Sequence, residues 1–479
     1  MNFPRISYQN IFLILTFLSF YTIFAQTKPT FSYREAYFPQ VSNSRDFQLN
    51  YKVNSLDNYW GLWGHNLPKW VDNESNIDEE IYALVDDERT KKQFCFSSKK
   101  LRKIIEKNIE ERKGAYKHFM ISPNDNQLVC LCEHCKKLGN TSKSASPAVF
   151  FLLNELAEDH KGLHFFTTAY LSTSTPAEKE QPKNIGIFYS TVNFQKGKPY
   201  NLITNKNELV TDLENWTKKV SQIYAWEYVL NYDNYFDFYP NLYVLQENLK
   251  FLNENGVNGI FINGSESYSS LQEMKAAVIA KLLYNVEIDL EKTIVEEFEK
   301  RFPPKIASLV SKFYLDANKS FYESKADLNT YADINATKRK YLPAPVLFDF
   351  YKELKKLSLK TKDQNTLKLV LATTFLKLEY LRILGLKEFG YVTQDHNEVK
   401  IKPEVFELLI DLEKLAEKTK IGTYNEQGFL ISDYLKNWRK EILNQDKKNL
   451  FLNLNFEVIS NLDHGYNNKD VLNDVSYGF

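Results

Sequence analysis

The chain has 479 residues, more than one hydrophobic core sustains, so two or three domains are expected. Lys plus Arg and Asp plus Glu each total 61, giving a formal net charge of zero. That balance excludes a general electrostatic drive toward nucleic acid or an anionic membrane and favours a neutral or weakly charged ligand.

At the N-terminus, Arg5 precedes an uncharged apolar run at residues 11–24, and Ala25-Gln26 offers a cleavage point after a small residue. Residues 1–25 therefore read as a secretory signal, and the protein as exported, periplasmic or extracellular. An uncleaved anchor is the alternative, since the run falls between a signal and the ~20 residues of a spanning helix. The absence of a cysteine at the cleavage point argues against a lipoprotein. No other segment is both apolar and long enough, so no membrane span is expected after signal removal.

Residues 26–300 alternate short apolar runs with amphipathic stretches, the pattern of an α/β protein with a mostly parallel sheet. Eight strands are expected, at 31–38, 58–65, 93–96, 118–122, 164–170, 185–190, 222–228 and 257–263. The first two are irregular, and 81–85 is a possible substitute for one of them. Helices are expected at 99–112, 148–160, 208–220 and 242–255. Eight such strands predict a (β/α)8, TIM-like barrel. A doubly wound open sheet competes with it, but the chain lacks the Gly-rich phosphate loop typical of that class.

Pro303-Pro304 breaks the pattern, and residues 301–445 read as an α-helical domain, with apolar stripes such as Ile306, Leu309, Val310, Phe313 and Ala317. Helical spacing of this kind usually means core, so the domain carries no assigned chemistry. It is placed to lend a wall to the cleft or to form an oligomer contact. Residues 446–479 form an Asn- and Asp-rich tail.

In barrel enzymes the reacting groups stand where strands end and loops begin. That rule selects Asn124 and Asp125 after the fourth expected strand, Glu227 and Tyr228 at the end of the seventh, and Asn263 and Glu266 after the eighth. Asp125 and Glu227, on facing strand ends, form a candidate catalytic pair: Asp125 as acid, Glu227 as nucleophile or base. Capping of the turn after Pro123 and pairing with a buried base are their structural alternatives. Trp60, Trp63 and His65 gather two indoles and an imidazole near two glycines, suited to stacking on sugar rings and binding hydroxyls. Asn231 and Tyr232 are lesser candidates, and Arg34 with Glu35 reads as a buried ion pair, with a substrate contact as the alternative. The Asp125 and Glu227 pair suits cleavage of a glycosidic bond in a poly- or oligosaccharide, which requires no cofactor and makes a carbohydrate the expected partner; a noncatalytic carbohydrate-binding protein on a degenerate barrel is the alternative.

Cys130, Cys132 and Cys135 are tightly spaced, and Cys95 ends the third expected strand. Export favours disulfides, while the spacing suits a structural zinc clip. In either state the cluster would tie the loop holding Asp125 to the neighbouring strand.

The order of these motifs resembles a widespread exported bacterial domain of unknown function. The resemblance rests on Arg34-Glu35-Ala36-Tyr37-Phe38, residues 60–65, Phe94-Cys95-Phe96, Ser122-Pro123-Asn124-Asp125 with the cysteine cluster, Tyr224-Ala225-Trp226-Glu227-Tyr228, and residues 255–261. That domain is similar to the catalytic barrels of α-glucuronidases and β-hexosaminidases. The resemblance covers about residues 31–300 and implies a barrel and a link to polysaccharide use. Glu227 stands where many relatives are expected to carry an aspartate, so its reach differs by one methylene.

Overall fold

The computed structural model describes residues 28–444 apart from 76, 386, 396 and 397. The expected signal and the tail at 446–479 lie outside the described residues. Nine strands precede the C-terminal helices among those described: β1 (Tyr33–Ala36), β2 (Trp60–Leu62), β3 (Tyr82–Val85), β4 (Glu88–Phe94), β5 (His118–Met120), β6 (His164–Ala169), β7 (Ile185–Ser190), β8 (Gln222–Tyr228) and β9 (Gly259–Asn263). Seven form one curled parallel sheet in the order β1-β9-β8-β7-β6-β5-β2.

This corrects the expectation of a closed eight-stranded barrel. The run at 93–96 does not enter the sheet. Gln93 and Phe94 end β4, which pairs antiparallel with β3 as a separate hairpin. Asp86 and Asp87 both take positive φ, 49° and 65°, as a two-residue hairpin turn requires, and so commit this segment to local pairing. The sheet stays open between β1 and β2, where side chains rather than a backbone ladder meet. Trp60 Nε1–H donates to Tyr33 Oη across 2.9 Å, and their rings pack edge to face.

Each strand of the sheet sends one large residue inward, and Tyr33, Trp60, Met120, Phe166, Phe188, Tyr224 and Phe261 fill the interior as one cluster. Alternate residues face the surrounding helices, as strand geometry demands. The flanking helices Lys99–Arg112, Ser146–Asp159, Lys206–Thr217 and Leu242–Glu254 lie close to their expected positions. Ser98 caps the first of these by accepting from Leu101 N–H.

Pro303 and Pro304 start a helix rather than simply ending the preceding segment. Proline is tolerated at the first helical turn, and the helix runs Pro304–Ser324. The helices Ala344–Ser358, Gln364–Leu384, Pro403–Thr419 and Ile431–Asn444 follow, with a short hairpin, Val392–Asp395 with Glu398–Ile401, that sequence reasoning did not anticipate. These helices are not an independent core. The loop after β8 inserts into them, with Phe236 against Phe375 and Phe238 against Phe313, both at 5.0 Å between ring centres. Asp237 fastens that loop by accepting from Asn231 (3.0 Å), Thr337 (2.9 Å) and Tyr341 (2.5 Å).

A second polar anchor lies just before this region. Glu297 is fully buried and accepts from Lys281 (2.6 Å), Lys300 (2.8 Å), Tyr51 (2.8 Å) and Arg301. Burial pushes its carboxyl up, but those donors outweigh burial and bring it from the ordinary 4.5 down to about 2. A depressed carboxylate stabilises fully above its unfolded value and loses that contribution as pH falls through its folded value. Because Lys281 and Lys300 are partly exposed, screening keeps the contribution below about 3 kcal/mol. Urea unfolding between pH 6 and pH 2, compared for the native chain and Glu297→Gln, is expected to show a native loss over roughly pH 4.5 to 2 that the variant lacks.

Candidate active site at the mouth of the curled sheet

The strand ends of the sheet converge on one face, and side-chain parity decides what reaches it. Tyr224 and Trp226 pack on the inner face of β8, whereas Ile223 and Ala225 pack with the helices, and alternation puts Glu227 on the helix side. Glu227 is therefore turned away from the mouth. Its carboxylate is fully buried against Lys196 Nζ (2.7 Å), Tyr200 Oη (2.5 Å) and Thr191 Oγ1 (3.1 Å). The expected face-to-face pairing with Asp125 is corrected on this ground: Glu227 is held by a buried base behind the sheet.

Asp125 is exposed on the loop after β5. Burial raises the nearby Tyr170 phenol, and the Asp125 carboxylate adds to the rise. Tyr228, half-buried at the end of β8, is likewise raised by burial first, and then by the charges of Glu227 behind it and, more weakly, Asp125. Asn124 is committed to the hairpin. Its Nδ2 donates to Lys92 O (2.9 Å), and its backbone N–H donates to buried Gln93 Oε1 (3.1 Å). Its Oδ1 is buried without a hydrogen-bond partner among the described residues.

The two tryptophans separate in role. Trp60 lies inside the sheet among Tyr33, His118, Phe166 and Phe188, which corrects its expected place among ligand contacts. Trp63 sits one layer higher, half-buried, and stacks on Trp226 at 5.2 Å. A register shift within β2 lets both indoles face inward. His65 follows on the loop. Its Nδ1 lies 2.6 Å from Pro123 O, so it must carry the proton and donate. That hydrogen bond leaves Nε2 as the ring nitrogen for any further contact.

On the other side of the mouth a cavity of about 460 Å³ opens at the ends of β9 and β1. Tyr37, Tyr235, Asn263, Glu266, Asn425 and Glu426 are among its walls. Tyr37 Oη donates to Glu266 Oε1 (2.8 Å), and Tyr331 Oη to Glu426 Oε2 (2.7 Å). Tyr232 donates to Asn263 O (2.6 Å), fixing the β9 end. Tyrosine rings continue from Tyr228 through Tyr232 to Tyr235 at centre separations of 6.1 and 6.3 Å. Asn231 is not part of this surface, since its amide is used by Asp237 and Ala332.

Gly264 sets how closely the two loops approach. A Cβ there would lie 2.0 Å from Tyr37 O, a backbone atom that cannot swing aside. Gly264→Ala is expected to cost about 2 to 3 kcal/mol by chemical denaturation, with the loops forced apart at the cavity.

Arg34 and Glu35 do not pair. Arg34 donates to Lys52 O, Phe31 O and Ser32 O, and Glu35, on the opposite face of β1, is fully buried. Neither Glu35 oxygen makes a hydrogen bond of ordinary geometry among the described residues. Burial raises its carboxyl well above the usual range, opposed by the Leu56 backbone amide.

The four cysteines are brought together as expected. Their Sγ atoms all lie within 4.8 Å of one another, with Cys95 3.7 Å from Cys132 and 3.8 Å from Cys135. Cys95 follows β4, and Leu131 N–H donates to Leu84 O (2.8 Å), so the hairpin and the loop beyond Asp125 are joined at this point.

A family model described as a domain of unknown function, DUF4838, matches residues 20–316. The chain belongs to this family. None of the curated proteins matches it. The DUF4838 match takes in the whole curled sheet, the cysteine cluster, Asp125 and Glu266, and ends within the helix Pro304–Ser324. The loop carrying Asn425 and Glu426 stands beyond the DUF4838 match and completes the cavity from the C-terminal helices.

Sequence reasoning missed Tyr37, Tyr170, Tyr235 and Glu426. The strand-end rule was sufficient for Tyr37 and Tyr170, which directly follow or nearly follow β1 and β6. Nothing local marks Glu426, because its position depends on how the C-terminal helices dock.

Proposed function

We propose that this protein is an exported glycosidase acting on a poly- or oligosaccharide at the mouth of the curled sheet, with Asp125 and Glu266 as its carboxylate pair. The observation supporting it most directly is that both are exposed carboxylates on loops after parallel strands, β5 and β9, which stand four apart in the curled sheet. Glycosidic cleavage needs one carboxylic acid to protonate the leaving oxygen and one carboxylate to attack or to direct water. Tyr37 orients Glu266, while Tyr170, Tyr228 and Trp63 supply faces for sugar rings. In this reading His65 Nε2, Asn263 and Glu426 bind sugar hydroxyls.

Incubation of the purified full chain with a panel of plant, algal and host polysaccharides, analysed by mass spectrometry of released sugars, tests the proposal. Release of oligosaccharides that Asp125→Asn and Glu266→Gln abolish, and that Glu426→Gln leaves in place with weaker binding, supports it. The burial of Glu227 favours one further reading, a carbohydrate-binding protein on an enzyme-like scaffold. Saturable glycan binding with no release at long incubation would select that reading.

A further inference from the structure

We propose that Cys95, Cys130, Cys132 and Cys135 form a structural zinc site that holds the Asp125 loop against the β3–β4 hairpin. Tetrahedral thiolate coordination at about 2.3 Å sets each sulfur–sulfur edge at about 3.8 Å. The separations of 3.7 and 3.8 Å from Cys95 match that edge, and all four sulfurs converge within 4.8 Å on a common centre. Two disulfides need the sulfurs to form two pairs and give no reason for all four to converge.

The surroundings suit thiolates as well. Leu84 N–H donates to Cys130 Sγ (3.2 Å), and the Ser97 hydroxyl lies 3.1 Å from Cys135 Sγ and 3.4 Å from Cys95 Sγ. Such donors offset the charge of a four-thiolate centre and orient its ligands. Cys95, Cys130 and Cys135 are buried, while Cys132 is partly exposed at the start of the helix Glu133–Leu138, leaving a path for the ion. Every coordination position is taken by sulfur, so the centre has no open site for catalysis. Zinc entry displaces whatever thiol protons are present and bonds residues 95 and 130–135, which no backbone ladder connects.

The consequence is positional. Cys130 lies five residues beyond Asp125, and Lys92 and Gln93 grip Asn124 on the other side of the same loop. The metal and the hairpin together fix the loop from both ends. This inference stands on the cysteines alone and does not depend on the glycosidase proposal.

The test uses the full chain purified without reductant or chelator. Elemental analysis is expected to give about one zinc per chain, and the reduced, metal-stripped chain is expected to take up one Co²⁺ with intense thiolate charge-transfer absorption. Cys132→Ser, at the partly exposed position, is expected to lower that absorption by about a quarter while the chain stays folded. Removing zinc is expected to speed hydrogen exchange in residues 122–135 and leave the C-terminal helices unchanged. A metal-free chain with two disulfides, or a reduced chain that takes up no Co²⁺, would overturn the proposal.

Discussion

Replacing Glu227 with alanine is expected to destabilise the protein by about 3 to 5 kcal/mol, the cost of leaving a buried charge without its partner. Lys196 is as deeply buried as Glu227, and it also donates to Thr191 O (2.8 Å) and Tyr200 Oη (2.6 Å). Those oxygens are neutral, so they solvate the ammonium but do not balance it. Burial already lowers the Lys196 pKa, with the Glu227 carboxylate opposing that shift. Without Glu227 the lysine must lose its proton or draw water into the sheet–helix interface. The double variant Lys196→Met with Glu227→Leu is expected to recover most of the loss, because an apolar pair of similar volume removes both desolvation costs. Urea denaturation of the two variants decides the matter. An undiminished midpoint in Glu227→Ala would show that the pair is not the anchor described.

Asp125→Asn is expected to behave in the opposite way: turnover falls by about 10³-fold while the urea midpoint stays within about 0.5 kcal/mol of the native value. A thousandfold loss corresponds to about 4 kcal/mol of transition-state stabilisation, the scale of a lost acid or base. The substitution keeps shape and removes only the ionisable group. Stability is spared because Asp125 is exposed and the loop is held by its neighbours Asn124 and Asn126, which both donate to Lys92 O at 2.9 Å. Glu266→Gln is expected to match it. Tyr37→Phe is expected to lose less, since it orients Glu266 without touching the reacting atoms. Full activity in Asp125→Asn would remove that residue from the chemistry and leave the mouth a binding surface.

The contrast between these two carboxylates shows what the sequence could carry. The ends of β7 and β8 and the helix Lys99–Arg112 agree with their expected bounds residue for residue, because apolar periodicity and Ser98 mark them. The face of Glu227 was not legible. β8 is covered on both sides, so Tyr224 to Tyr228 reads as a nearly continuous apolar run in which alternation is lost. Its partner Lys196 lies in a loop 31 positions upstream by numbering, where nothing in the spacing suggests a pair. The strand count failed for a related reason: residues 93–96 look like any short buried strand, and the deciding feature was the Asp86-Asp87 turn, which makes a hairpin locally available. The cysteines succeeded because four thiols near one loop have few ways to be arranged.

The open seam between β1 and β2 also bears on how the chain reaches its native state. β1 has a backbone ladder only to β9, and the first contact of that pairing, Ser32 with Asn258, spans 226 residues. The first strand to be made must therefore wait for the last strand of its sheet. Contacts of such long range carry a large loop-closure cost and form late. During synthesis, Tyr33 and its neighbours remain unpaired until residue 259 has emerged, and docking of β1 is the event that turns a six-stranded sheet into the finished mouth.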